Sequence, residues 1–141
     1  MIAETVTLPE LGTGTVGEAM TPGVLTCLPV TPLRDVARMM ARHRVHAIVV
    51  FGTDDSLHPW GVVSDLDLIG AIGTRANAGT VAASPIVTVT PELSLLHAAT
   101  LMAENQAAHL LVISDRGLPI GVLSSLDVAR ALAAEAGPDE K

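Results

Sequence analysis

The stretch GVVSDLDL occupies residues 61–68, and sixty residues later the chain reads GVLSSLDV at 121–128. Each copy holds a Gly, two aliphatic residues, a Ser, and an Asp three residues beyond the Ser. The likeness extends outward. At an offset of 62, Leu25, Thr26 and Cys27 fall on Val87, Thr88 and Val89, and Pro29 and Leu33 fall on Pro91 and Leu95. VARMMA (36–41) falls on AATLMA (98–103), and IVVF (48–51) on LLVI (110–113). The offset drops to 60 after the next loop, a length change confined to a loop, as a duplication should show.

Each half reads as strand, helix, strand, strand, helix. Val24–Leu28 and Ile86–Val89 are short β-prone runs. Leu33, Val36, Ala37, Met40 and Ala41 follow helical spacing, and Leu95, Ala98, Ala99, Met102 and Ala103 repeat it. Thr31 is the expected N-cap of the first helix, with Pro32 in its first turn. The unbroken apolar runs AIVVF and LLVI predict buried strands. Polar loops, GTDDSLHP and SDRGLP, then lead into a third strand that ends at Ser-x-x-Asp. The following helices are expected to run through Ile72 and Leu132. The expected division is an N-terminal extension over 1–14, repeat one over 15–73, a linker over 74–79, repeat two over 80–135 and a disordered tail over 136–141. A half of about 60 residues is marginal alone, so the expected fold is α/β (α+β), two pseudo-symmetric β-α-β-β-α repeats packed sheet to sheet.

Composition narrows the function. Of 141 residues, 49% are apolar, enough for a sizeable core, and Phe51 and Trp60 are the only aromatics. The formal charge of −7 disfavours nucleic-acid binding. Cys27 is the only cysteine, which excludes an intrachain disulfide and fits a buried small residue in a cytoplasmic protein. No secretory leader or membrane-length apolar run is legible. His43, His58 and His97 lack metal-ligand spacing, so no metal site is expected. Neither a catalytic triad spacing nor a nucleophile elbow is present, so the chain does not read as an enzyme.

Ser-x-x-Asp supports two readings. In a capping box, the Ser side chain accepts from the N3 amide and the acidic N3 residue reaches back to the N-cap amide. In a ligand site, the same helix start offers free amides to a phosphate, and the Asp accepts hydrogen bonds from ribose hydroxyls. Ser64, Asp67, Ser124 and Asp127 suit both.

With the doubled motif and its matching upstream helix and strand, residues 15–134 resemble a tandem pair of CBS domains, a Bateman module. VGEAMTPGVLT resembles the family's lead-in to the first strand, and TVAASPIVT a shorter version. The resemblance implies a regulatory module binding adenosine-containing molecules (AMP, ADP, ATP or S-adenosylmethionine), with no obligatory cofactor. It implies two clefts. One combines Thr21, Val24 and His46 with Ser124 and Asp127; the other combines Ser64 and Asp67 with Ser84, Ile86 and His109. His46 and His109 would face phosphate. Neither repeat has Arg there, which argues against tight di- or triphosphate binding. Arg130, one helical turn after Asp127, is a further candidate for phosphate, against a solvated position. Arg34, Arg38 and Arg42 form a stripe that reads as a solvated face or an acidic-partner contact. Trp60 suits either a subunit interface or a sheet edge. Such modules commonly form homodimers, and the Ala- and Leu-rich ARALAAEA face is compatible with one; the regulated protein would be a separate chain. The alternative is a structural or dimerisation module with empty or vestigial clefts.

Overall fold

A computed structural model describes residues 8, 11–52 and 59–136. Most of the loop GTDDSLHP, including His58, most of the N-terminal extension and nearly all of the expected tail lie outside the described residues.

The chain forms two compact units, and they do not coincide with the two sequence repeats. A central unit comprises Gly23–Val87; a flanking unit combines Met1–Pro22 with Thr88–Lys141. The central unit holds β2 (Thr26–Cys27), α2 (Leu33–His43), β3 (Ala47–Phe51), β4 (Pro59–Ser64), α3 (Asp65–Gly70) and α4 (Ala78–Val81). The flanking unit opens with α1 (Val16–Ala19) and β1 (Thr21–Pro22). It continues through β5 (Thr88–Val89), α5 (Leu95–Asn105), β6 (His109–Ile113), β7 (Pro119–Ser124) and α6 (Ser125–Ala136).

The central sheet has the order β2-β3-β4, with β2 parallel and β4 antiparallel to β3. The flanking sheet has the order β1-β7-β6-β5 and repeats that arrangement, with β1 added antiparallel at the β7 edge. The corresponding edge of β4 is met by a single antiparallel bridge, Val62 to Ala83. Ile48, Val49 and Val50 are successive and all buried, as are Leu110, Leu111 and Val112. Both faces of these strands are therefore shielded from water, as their unbroken apolar runs predict.

Each unit closes its core with a helix. In the central unit, Val36 and Met40 of α2 pack with Cys27, Ile48, Val50, Val63 and Ala78. In α5, Leu95, Ala98 and Met102 are buried. The buried stripe is thus narrower than the sequence spacing suggests: Ala37, Ala41 and Ala103 are exposed, because one side of an 11-residue helix suffices to cover a short sheet.

Local details differ from expectation for identifiable reasons. The paired part of β2 is only Thr26–Cys27, because pairing with β3 begins at Val49. Pro32, not Thr31, is the N-cap of α2; the Thr31 hydroxyl instead accepts a 3.0 Å bond from the Leu28 amide. α3 stops at Gly70, short of Ile72, where a turn begins: Thr74 bonds back to the Ala71 carbonyl and Gly73 takes φ +83°, a conformation that favours glycine. α6, by contrast, runs past Leu132 to Ala136.

The lead-in segments are exchanged between the repeats. α1 precedes repeat one but packs in the flanking unit, where the Val16 amide donates to Leu93 O at 2.9 Å and Gly17 to Pro91 O at 2.9 Å. α4 precedes repeat two but packs in the central unit, with Ala78 on Thr31 O at 2.9 Å and Gly79 on Pro29 O at 2.8 Å. The second lead-in is as long as the first. It starts at Ala78, inside the stretch read as linker, with Asn77 as its N-cap in the place of Thr15. Residues near the start of the chain also belong to the flanking unit: Leu11 is buried and the Gly12 amide donates to the Glu135 carboxylate at 2.7 Å.

Candidate functional site

The motif glycines explain how the lead-ins dock. A Cβ on Gly121 would lie 2.7 Å from the Thr21 carbonyl oxygen, and a Cβ on Gly61 would lie 2.7 Å from that of Ala83. Only a residue without a side chain lets the lead-in backbone cross there. At β7 the crossing aligns Thr21 with Val122 and Pro22 with Gly121. It thereby carries the Thr21 hydroxyl to the start of α6.

Both Ser-x-x-Asp motifs form complete capping boxes. The Asp127 amide donates to Ser124 Oγ at 3.2 Å, and the Ser124 amide donates to Asp127 Oδ2 at 2.8 Å. Ser64 and Asp67 repeat both bonds at 3.2 and 2.8 Å. The capping reading of the motif therefore holds in each unit.

Capping uses only one carboxylate oxygen of Asp127. Its Oδ1 meets the Thr21 hydroxyl at 3.5 Å and Arg130 Nη1 at 3.6 Å. Both contacts are longer than a strong hydrogen bond to a carboxylate, so Oδ1 keeps capacity for a better donor. Asp127 is only 5% exposed, whereas the Arg130 side chain is 69% exposed. Asp127, Arg130 and Thr21 line a cavity of about 460 Å³ in the flanking unit, with Thr15, Glu18 and Leu95 also on its wall. The Glu18 carboxylate is held at the start of α1 by the Thr15 amide at 2.9 Å and the Thr15 hydroxyl at 3.0 Å.

Of the residues assigned to the first expected cleft, Thr21, Ser124 and Asp127 come together in the flanking unit; Val24 and His46 lie in the central unit. His46 is exposed and its Nδ1 lies 3.1 Å from Asp65 Oδ2. Of the second set, Ser64, Asp67, Ser84 and Ile86 lie in the central unit and His109 in the flanking one, opposite Ser124 in the β6–β7 ladder. Ala83, not Ser84, stands at the register matching Thr21. Arg34, Arg38 and Arg42 are exposed on α2, with Arg38 paired to Asp35 at 3.3 Å. Trp60 is 37% exposed on β4. Among the described residues, no three His, Cys, Asp or Glu side chains gather as a metal site, and no helix is long and apolar enough to cross a membrane. Burial pushes the Cys27 thiol pKa up, an effect that a hydrogen bond with Thr31 partly offsets.

Residue-level reading missed the two glycine crossings and Glu18. The signal for the crossings was present: Gly heads both copies of the motif, at a strand position where glycine otherwise weakens a sheet.

Two mixed sheets faced by helices, each ending in a Ser-Asp helix cap beside an exchanged lead-in, define a duplicated α/β module. The CBS domain model matches residues 16–74 and 78–134, and the chain belongs to that family. It is 30% identical over 119 residues to the mitochondrial CBS domain-containing protein CBSX3 of Arabidopsis thaliana, covering 79% of this chain and 57% of that protein. It is 30% identical to hypoxic response protein 1 of Mycobacterium tuberculosis, covering 84% of this chain and 85% of that one. Among solved structures, the CBS domain protein PAE2072 of Pyrobaculum aerophilum complexed with AMP superposes with a TM-score of 0.72. Identity there is 28%, and the match covers 86% of this chain and 96% of that one.

Proposed function

We propose that this chain is a regulatory module that binds an adenosine-containing ligand and passes the signal to a separate protein. The observation that carries the reading is the divided carboxylate of Asp127. Oδ2 holds the helix start, while Oδ1 faces a cavity with only long contacts to Thr21 and Arg130. A buried carboxylate with one under-used oxygen is suited to a hydroxyl donor, which in a nucleoside is the ribose. The AMP complex of the 28%-identical Pyrobaculum protein supports that class of ligand. AMP fits better than a polyphosphate, because Arg130 is the only cation among the described residues that line the cavity and Glu18 adds a second carboxylate. No step of catalysis is assigned to the chain.

Signalling needs a surface. Leu66, Ile69 and Ile72 are each more than half exposed at and just beyond α3, an apolar cluster suited to a second copy of the chain or to the regulated protein. Self-association into a homodimer and a cytoplasmic setting complete the proposal.

The test is titration calorimetry of the full chain with AMP, ADP, ATP and S-adenosylmethionine, with Asp127→Asn as control. The Asn side chain can still accept from the Ser124 amide, so the cap is retained while the charge is lost. Binding weakened at least tenfold by Asp127→Asn is expected. Equal binding by the variant overturns the ribose role and leaves the motif as a cap alone.

A further inference from the structure

The surroundings of the two motif carboxylates differ at three successive points. Beside Asp127 stands Thr21, aligned with Val122, whereas Ala83, bridged to Val62, occupies the same register in the central unit and has no hydroxyl. One turn after Asp127 comes Arg130, with its guanidinium 3.6 Å from the carboxylate; one turn after Asp67 comes Gly70, with no side chain to offer. The residue after the motif serine is Ser125 in one copy and Asp65 in the other. Asp65 puts a second carboxylate at the start of α3, where His46 pairs with it.

Burial separates the sites as well. Asp127 is nine-tenths buried and forms part of a cavity wall. Asp67 is only half-buried. A hydrogen bond to a carboxylate discriminates ligand from water only where water is excluded. A ligand that also carries phosphate would meet Arg130 at one site, and Asp65 with Asp67 at the other.

Building on the nucleotide reading above, we infer that the chain carries one ligand site rather than two. It lies at Asp127, and Thr21 and Arg130 are its specificity-determining side chains; Asp67 serves only as the cap of α3. The duplication has kept the structural half of the motif in both copies and the binding half in one.

The experiment is the stoichiometry of AMP on the full chain by calorimetry, followed by the variants Asp127→Asn and Asp67→Asn. One AMP per chain is expected, with affinity reduced at least tenfold by Asp127→Asn and less than twofold by Asp67→Asn. Circular dichroism checks that both variants remain folded, and the wild-type stoichiometry needs no variant at all. Two AMP per chain, or loss of binding with Asp67→Asn, overturns the single-site inference while leaving the nucleotide reading standing. Wild-type chain that binds none of AMP, ADP, ATP or S-adenosylmethionine overturns both, as does a single site indifferent to Asp127→Asn.

Discussion

In the central unit Ile48 pairs with Val63 and in the flanking unit Leu110 pairs with Leu123, all four fully buried. At Gly61 and Gly121 an added Cβ would stand the same 2.7 Å from a lead-in carbonyl oxygen, and the cap distances agree at 3.2 and 2.8 Å. Divergence begins beyond these positions. Thr21 against Ala83 and Arg130 against Gly70 separate a buried carboxylate flanked by a hydroxyl and a guanidinium from a half-buried one whose matching positions carry neither. Residues that hold the fold have stayed paired across the duplication, while residues that a ligand would touch have been free to differ. The reason is energetic: a core or crossing position is constrained by several neighbours at once, whereas a cavity wall is constrained only by what enters it.

The core pair should show the largest effect. Ile48→Ala and Leu110→Ala each remove a fully buried side chain and should each cost about 2–5 kcal/mol in urea unfolding. A much smaller loss in one unit would break the symmetry at its strongest point.

Gly61→Ala and Gly121→Ala come next. Each new Cβ would press on a backbone oxygen that cannot swing aside, and each should cost about 1–3 kcal/mol. Gly121→Ala should also displace Thr21 and weaken AMP binding. Gly61→Ala should leave AMP affinity unchanged, and an equal loss from both would argue for two equivalent sites.

The caps test a subtler symmetry. Ser64→Ala and Ser124→Ala each delete an acceptor for the N3 amide and should each cost about 1 kcal/mol. Unequal costs by thermal melting would show that the six-residue α3 and the 12-residue α6 depend differently on their caps.

The smallest difference concerns Cys27, whose counterpart in the duplication is Val89. Burial raises its thiol pKa in the folded chain, so the unfolded chain loses the proton first. Stability from this group is whole below the ordinary thiol pKa and is lost as pH rises through the raised folded value. A shallow decline in melting temperature at alkaline pH is expected, and Cys27→Val should abolish it. Rapid alkylation of the native protein by iodoacetamide at pH 7 would contradict the burial.

Much of this was legible in the residues. The shift from offset 62 to 60 located the loop difference, the apolar runs marked β3 and β6, and the doubled Ser-x-x-Asp announced two helix starts. What spacing and periodicity left hidden was which unit each lead-in joins; only the family resemblance set Thr21 with Asp127. Gly17 docks on Pro91 and Gly79 on Pro29 through the same backbone bonds, so either lead-in is locally suited to either unit. Thr21 could not be placed beside Asp127 by spacing either, since 106 residues separate them.

The sequence by itself determined the duplication, the helical and strand periodicities and the capping boxes, because these follow from interactions within a few residues or from a pattern repeated along the chain. Only the tertiary structure decided the exchange of lead-ins and the unequal burial of Asp67 and Asp127. Those depend on which distant backbone crosses Gly61 and Gly121, and long-range pairing leaves no periodic trace in the chain that makes it.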